Sequence, residues 1–288
     1  MKTKTKSLIR LFLFILLSNS CLSQTIYIDI FDFKVFDNSN YILCYDVIMT
    51  SDSLNPSEKE YDKLILEIGK NGSKSYSYNL YKHDSVGSEY VKRGAEGIPS
   101  LRADYFPEDV YKTYSENKMT VFYRTPSSGP VLKYTEDLKL MNWSIKNETK
   151  TINGYLCQRA TSTYRGRNWN VWFTMQIPVS DGPWKFFGLP GLILQAEDEK
   201  GYYSFVCSGI KNAEKQIIMP HYEAENLTFE EVWDFMKECK DDYNAYRRKI
   251  FPQATFVKAV KDASGKTTFV DMDMNEKRVL PYNPIEFK

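Results

Sequence analysis

The sequence is poor in the residues that carry most acid–base and metal chemistry. Only two of its 288 residues are histidines, His83 and His221. No HExxH and no histidine–cysteine cluster occurs, which excludes the commoner zinc arrangements. There is no G-x-S-x-G elbow for a serine nucleophile. No glycine-rich loop precedes Lys-Ser or Lys-Thr, so a phosphate cradle is not encoded. A CxxC pair is also missing, against a thioredoxin-type redox role and a zinc knuckle. The formal net charge is only +1, which gives no electrostatic case for nucleic acid or an anionic membrane as partner. Beyond residue 17 no apolar run is long enough for a membrane-spanning helix. Internal repeats and low-complexity blocks are likewise absent.

Aromatic residues are plentiful. They make up 15% of the chain and include 21 tyrosines, a composition that favours sheets over helices. At the start, Lys2, Lys4, Lys6 and Arg10 precede an apolar core from Leu11 to Leu17. That pattern predicts a signal peptide over residues 1–23, cleaved after Ser23. Lipoprotein processing at Cys21 is the rival reading, and both take the chain out of the cytoplasm. Residues 24–288 then form a single β-rich domain. Its cysteines, Cys44, Cys157, Cys207 and Cys239, fit disulfides in an oxidising envelope. Their apolar settings fit buried thiols equally well.

Alternating segments are frequent. Tyr41 to Met49, Lys63 to Ile68 and Ser75 to Tyr81 read as strands, the last two joined by a hairpin at Asn71-Gly72. Ser85 to Arg102 has no period and reads as a loop. Phe106 to Tyr114 reads as a short helix or a loop with aromatic anchors. Met119 to Arg124 pairs with Val131 to Tyr134. Trp143 to Ile145, Thr149 to Ile152, Tyr155 to Thr163, Asn168 to Thr174, Leu192 to Ala196 and Tyr202 to Val206 continue the series. Thr228 and Glu231 form a capping box. The stripe Phe229, Val232, Trp233, Met236, Cys239, Tyr243 and Ile250 predicts one helix. Phe256 to Val270 alternates only weakly. The fold class expected is mainly β with some α, an antiparallel meander or half-barrel-like curved sheet packed by one helix from the C-terminal half.

The densest stretch is Asp181 to Asp198, DGPWKFFGLPGLILQAED. Gly182-Pro183 breaks the chain, and Leu189-Pro190-Gly191-Leu192 has the residues of a type II turn, with Gly191 at the position of positive φ. Leu192 to Ala196 then reads as a buried strand. Between the two breaks Trp184, Phe186 and Phe187 are either buried or offered as a docking surface.

At these residues the chain resembles the GLPGLI family of Bacteroidetes proteins, named for the hexapeptide Gly188 to Ile193. Lys150-Thr151-Ile152-Asn153-Gly154-Tyr155-Leu156-Cys157, with Ala160, is similar to the family's upstream element. Tyr164 to Arg167 with Val171 to Thr174 is similar to the next. Leu66 to Lys70 with Ser75-Tyr76-Ser77 resembles the N-terminal pattern. The resemblance implies an exported envelope protein, periplasmic or associated with the outer membrane, without an established activity. It also implies a setting beside TonB-dependent transporters.

No residue set makes a catalytic proposal. His83 stands with Asp84 and Ser85 in a polar segment and lacks the context of a triad. Asp271 to Glu276 has closely spaced oxygen ligands but no EF-hand glycine, and reads as a solvated acidic turn. Arg165 and Arg167 read as exposed turn residues or as an anion clamp. No cofactor and no metal is expected. The leading expectation is a non-catalytic envelope protein binding an apolar ligand or an outer-membrane protein partner, such as a transporter. Trp184, Phe186, Phe187, Gly188, Leu189, Pro190, Gly191, Leu192 and Ile193 would form the lip or docking edge. The alternative is an envelope hydrolase of peptides or glycans, using a histidine or a carboxylate pair.

Overall fold

Period-2 alternation carries the chain into strands that each need a covered face, and one large sheet supplies it. The computed structural model describes residues 27–95, 97–101, 103–138, 141–261 and 267–288. The leader expected over residues 1–23, with Cys21, lies outside them.

The first half runs β1 (Phe33–Met49), β2 (Glu60–Gly69), β3 (Gly72–Ser77), α1 (Tyr78–Lys92), β4 (Glu108–Thr113), β5 (Lys118–Arg124) and β6 (Val131–Asp137). The second runs β7 (Ser144–Ile152), β8 (Tyr155–Tyr164), β9 (Arg167–Thr174), β10 (Leu192–Asp198), β11 (Tyr203–Pro220) and β12 (Ala224–Asn226). These strands form a 12-stranded sheet in the order β12-β6-β5-β4-β3-β2-β1-β11-β10-β9-β8-β7. It is therefore two meanders, β1 to β6 and β7 to β11, zipped together along the long antiparallel pair β1–β11. Only β12, on β6, pairs in parallel, and the sheet is not closed into a barrel. Register shifts near Val35, Ser39 and Cys44 bulge β1, a standard source of local bending and twist.

The inner face carries the main core. Leu43, Tyr45 and Val47 of β1 lie beside Leu64, Leu66 and Ile68 of β2, while Trp169, Val171 and Phe173 of β9 face Phe205 of β11. This face is closed by the segment between β9 and β10, by α2 (Phe229–Asp241) and by the C-terminal tail, which adds Ile285. The outer face has its own cluster of Ile28, Tyr111, Phe122 and Val131, and there α1 docks through Asp84, which takes two hydrogen bonds from Arg124.

Several expectations need correcting. Of the stretch expected as a loop, Ser85 to Lys92 is helical, while the described residues of 93–101 carry neither helix nor strand. The helical part belongs to α1, which starts at Tyr78 directly after β3, so the strand expected over Ser75 to Tyr81 ends at Ser77, whose hydroxyl caps the helix. Its buried residues are Leu80, Asp84, Gly87 and Ser88, and such a polar, small-residue face leaves no apolar stripe to read. Phe106 to Tyr114 contains a strand, β4, whose inward side chains include the charged Glu108 and Lys112. The long helix breaks at Asp242, which caps α3 (Tyr243–Ile250) through a hydrogen bond from Ala245 N–H. The capping box at Thr228 and Glu231 is present. The weakly alternating stretch is a separate hairpin of β13 (Val257–Lys261) and β14 (Thr267–Asp271). The four cysteines are free thiols, three of them buried. Burial pushes Cys207 up to about 11 and Cys239 up to about 12, far from the range of a reactive thiolate.

Candidate functional site

The motif segment is threaded into the core. Of the nine residues expected at a lip or docking edge, Trp184, Phe186, Leu189, Gly191, Leu192 and Ile193 are buried. Phe187 is half-buried, and Gly188 and Pro190 reach the surface. The physical reason is the open inner face of the sheet, which needs large side chains to fill it. Trp184 packs against Tyr164 and Trp169, and Phe186 packs edge-on to Trp169 and Phe205. Trp184 holds a left-handed backbone, φ 53°, and its N–H donates to Ser75 Oγ at 3.0 Å. The type II turn is not formed as expected. Gly188 has the positive φ, at 100°, and Gly191 does not. Glycine is needed at 191 because a Cβ there would lie 2.2 Å from the Thr174 carbonyl oxygen.

Two buried lysines hold this segment. Lys112, from β4, donates to Asp181 Oδ1 at 2.5 Å and to the carbonyls of Gly182 and Phe186 at 2.8 and 2.9 Å. The Tyr114 hydroxyl completes Asp181 from the other side at 2.6 Å. Burial pushes the Lys112 ammonium down, and Asp181 opposes that. Lys185, within the segment, donates to Glu136 and Glu286 at 2.6 Å each. Burial works against its charge, but Glu286, Glu108 and Glu136 together hold its ammonium above the usual range.

Beside Lys185 lies a cavity of about 310 Å³ between the sheet, α2 and the tail. Tyr105, Tyr123, Tyr134, Tyr203, Trp233 and Tyr282 contribute rings to its lining, and Glu108 and Glu286 contribute carboxyls. Glu108 accepts the Trp184 indole N–H at 2.8 Å, which joins the motif to the cavity. Burial pushes the Glu108 carboxyl up to about 7; Glu286 and Glu136 add to this, against Lys185 and the indole.

The tail is tied down from both sides. Arg167 donates to Asn283 Oδ1 at 2.7 Å and to the Ile285 carbonyl at 3.0 Å, and it pairs with Asp198 at 2.8 Å. Arg165 pairs with Glu136 and stacks on the Phe229 ring at 3.2 Å. Neither arginine is an exposed turn residue or an open anion clamp, since both have internal partners. His83 binds the Pro99 carbonyl at 3.1 Å. His221 is exposed in the link after β11, and its backbone N–H donates to the Asp32 carbonyl at 2.8 Å. Asp271 to Glu276 is a largely exposed turn. Among the described residues no group of His, Cys, Asp or Glu is arranged to hold a metal, and no helix is long and apolar enough to cross a membrane. Glu108, Lys112, Glu136 and Glu286 were not anticipated. The available signal was the phase of β4, in which Glu108 and Lys112 share the face of buried Val110.

Fold and site together define a β-sheet protein with an aromatic, acid-lined cavity behind a threaded motif. A family model described as a protein of unknown function (Porph_ging) matches residues 165–195, the stretch from Arg165 through the motif. Two structures of PNGF-II, in space groups C2 and P21, are similar at 14% and 15% identity, with TM-scores of 0.44 and 0.42. They are matched over 77% and 78% of this chain and 34% and 35% of theirs. The chain thus spans about a third of their length, and a likeness of that size says nothing of its activity. No curated protein matches by sequence.

Proposed function

We propose that this chain is an exported, GLPGLI-type envelope protein that binds a small ligand in the cavity between its sheet, α2 and the C-terminal tail. One observation carries the reading. A cavity of about 310 Å³ gathers aromatic rings around a buried carboxyl held near neutrality. Small-molecule sites are concave and mostly apolar, with a few convergent polar groups, and begin at roughly 300 Å³. Perturbed titratable groups collect at such places. Export rests on the basic and apolar pattern of residues 2–17. In this reading the motif works from behind the cavity, with Trp184 orienting Glu108. The ligand is amphipathic and not purely apolar, because carboxyls share the wall with the rings.

The test is native mass spectrometry of the protein recovered from a Gram-negative Bacteroidetes envelope, beside a Met236→Trp variant that fills the cavity. The expected result is a small-molecule mass on the native protein and a bare variant with an unchanged melting temperature. A ligand retained by the filled variant would place binding elsewhere. A protein partner of the outer membrane, which would have to use Phe187, Gly188 and Pro190, would appear instead as a stoichiometric protein mass. The hydrolase reading also gains one observation, since Glu108 and Glu286 share a cavity and glycan hydrolysis pairs a protonated with an ionised carboxyl. Glycan cleavage abolished by Glu108→Gln would select it over simple binding.

A further inference from the structure

The buried charges beside the cavity do not balance. Glu136 and Glu286 are matched by Lys185 and Arg165: Lys185 bridges the two carboxylates at 2.6 Å, and Arg165 contacts both. A third carboxyl, Glu108, is in the same field, and among the described residues its hydrogen-bond donor is the neutral Trp184 indole alone. Elsewhere in the lining Arg124 is engaged by Asp84 and Asp104 accepts the Tyr61 N–H, while burial pushes the Lys240 ammonium down against the pull of Glu60. A buried anion without a cation is costly, and the cost is relieved by supplying one or by taking up a proton. The rings around it offer a second attraction, because aromatic faces draw ammonium groups to within about 6 Å of their centres.

We propose that the ligand of this cavity carries a small organic ammonium group, seated against the Glu108 carboxylate and among the surrounding tyrosine rings. This rests on the ligand-cavity reading above and adds the chemical class. A neutral ligand would leave Glu108 unmatched, and an anionic one would face Glu286 and Glu136 as well. The groups that act on Glu108 come from every element packed there. They are Lys185 and Trp184 of the motif, Glu286 and Tyr282 of the tail, Glu136 and Tyr134 of β6, Tyr123 of β5 and Tyr203 of β11; α2 contributes Lys240 to the lining. Because the free carboxyl takes up a proton as pH falls through about 7, an ammonium ligand must compete with that proton.

The experiment is calorimetric titration with choline and with its uncharged isostere 3,3-dimethylbutan-1-ol. Choline should bind at least about tenfold more tightly at pH 8, and its affinity should fall about tenfold per unit below pH 7, while the alcohol's stays constant. Glu108→Gln should erase the preference and leave the alcohol's affinity unchanged. Should that variant not fold, the pH series on the unaltered protein decides alone. Alcohol binding with no preference for choline, or choline binding independent of pH, overturns the ammonium assignment and leaves the cavity reading standing. No binding of either probe counts against both.

Discussion

Lys112 and Lys185 are both fully buried ammonium groups fastening the same short segment, yet their surroundings differ in one respect. The Lys112 ammonium is itself fully matched: its three N–H groups meet one carboxylate and two carbonyls, and the second carboxylate oxygen takes a tyrosine hydroxyl. Around Lys185, among the described residues, three carboxyls meet two cations, and Arg165 Nη1 has no hydrogen-bond partner. The matched cluster is enclosed by packed residues, and the unmatched one borders a cavity. A balanced buried network rigidifies a fold. An unbalanced one keeps a group available for something else, which is why the second region is read as the site and the first as its anchor.

The comparison breaks first at Lys112. Lys112→Met leaves Asp181 buried without a cation and two carbonyls without donors, and should cost about 3–5 kcal/mol in urea unfolding. Trp184→Ala comes next. A lip residue could be truncated without moving the melting transition, but this indole is buried between Tyr164, Trp169 and Phe186. Its loss should cost about 3–5 kcal/mol through the cavity left behind. At Glu108 the sign reverses. Below pH 4.5 the carboxyl is protonated in both folded and unfolded chains. Between 4.5 and about 7 the unfolded chain ionises first, so rising pH lowers stability, and above about 7 the loss is complete. Glu108→Gln should therefore stabilise the protein by up to about 3 kcal/mol at pH 8 and by nothing at pH 4. That difference is read from paired denaturation curves across pH. The smallest effect belongs to Gly191→Ala, which forces the Thr174 carbonyl to move and should cost about 1–3 kcal/mol without altering the pH profile.

Most of the sheet was legible in the sequence because its strands bury one face. Leu43, Tyr45, Val47 and Met49 alternate in the sequence and all are buried. The capping box at Thr228 was legible because it is a local hydrogen-bond pattern. What stayed hidden is whatever the core builds from charge. Asp84 docks α1 onto Arg124, and Lys112 and Glu108 stand in inward positions of β4, so the apolar patterns that mark a helix face or a strand are interrupted there. Lys185 between Trp184 and Phe186 looks like a solvated charge until Glu136 and Glu286, 49 and 101 residues away, are seen beside it. The aromatic motif was found, but its burial depends on an open sheet face that only the tertiary structure reveals.

The central claim is that Glu108 is a buried carboxyl short of one cation. Carbon-13 NMR of the glutamate carboxyls, assigned by loss of the signal in Glu108→Gln, measures it directly. The account predicts a titration midpoint for Glu108 near 7 in the free protein, moving down when an ammonium ligand is bound. A midpoint in the ordinary carboxylate range near 4.5 would show that the cluster is already balanced and would contradict the account.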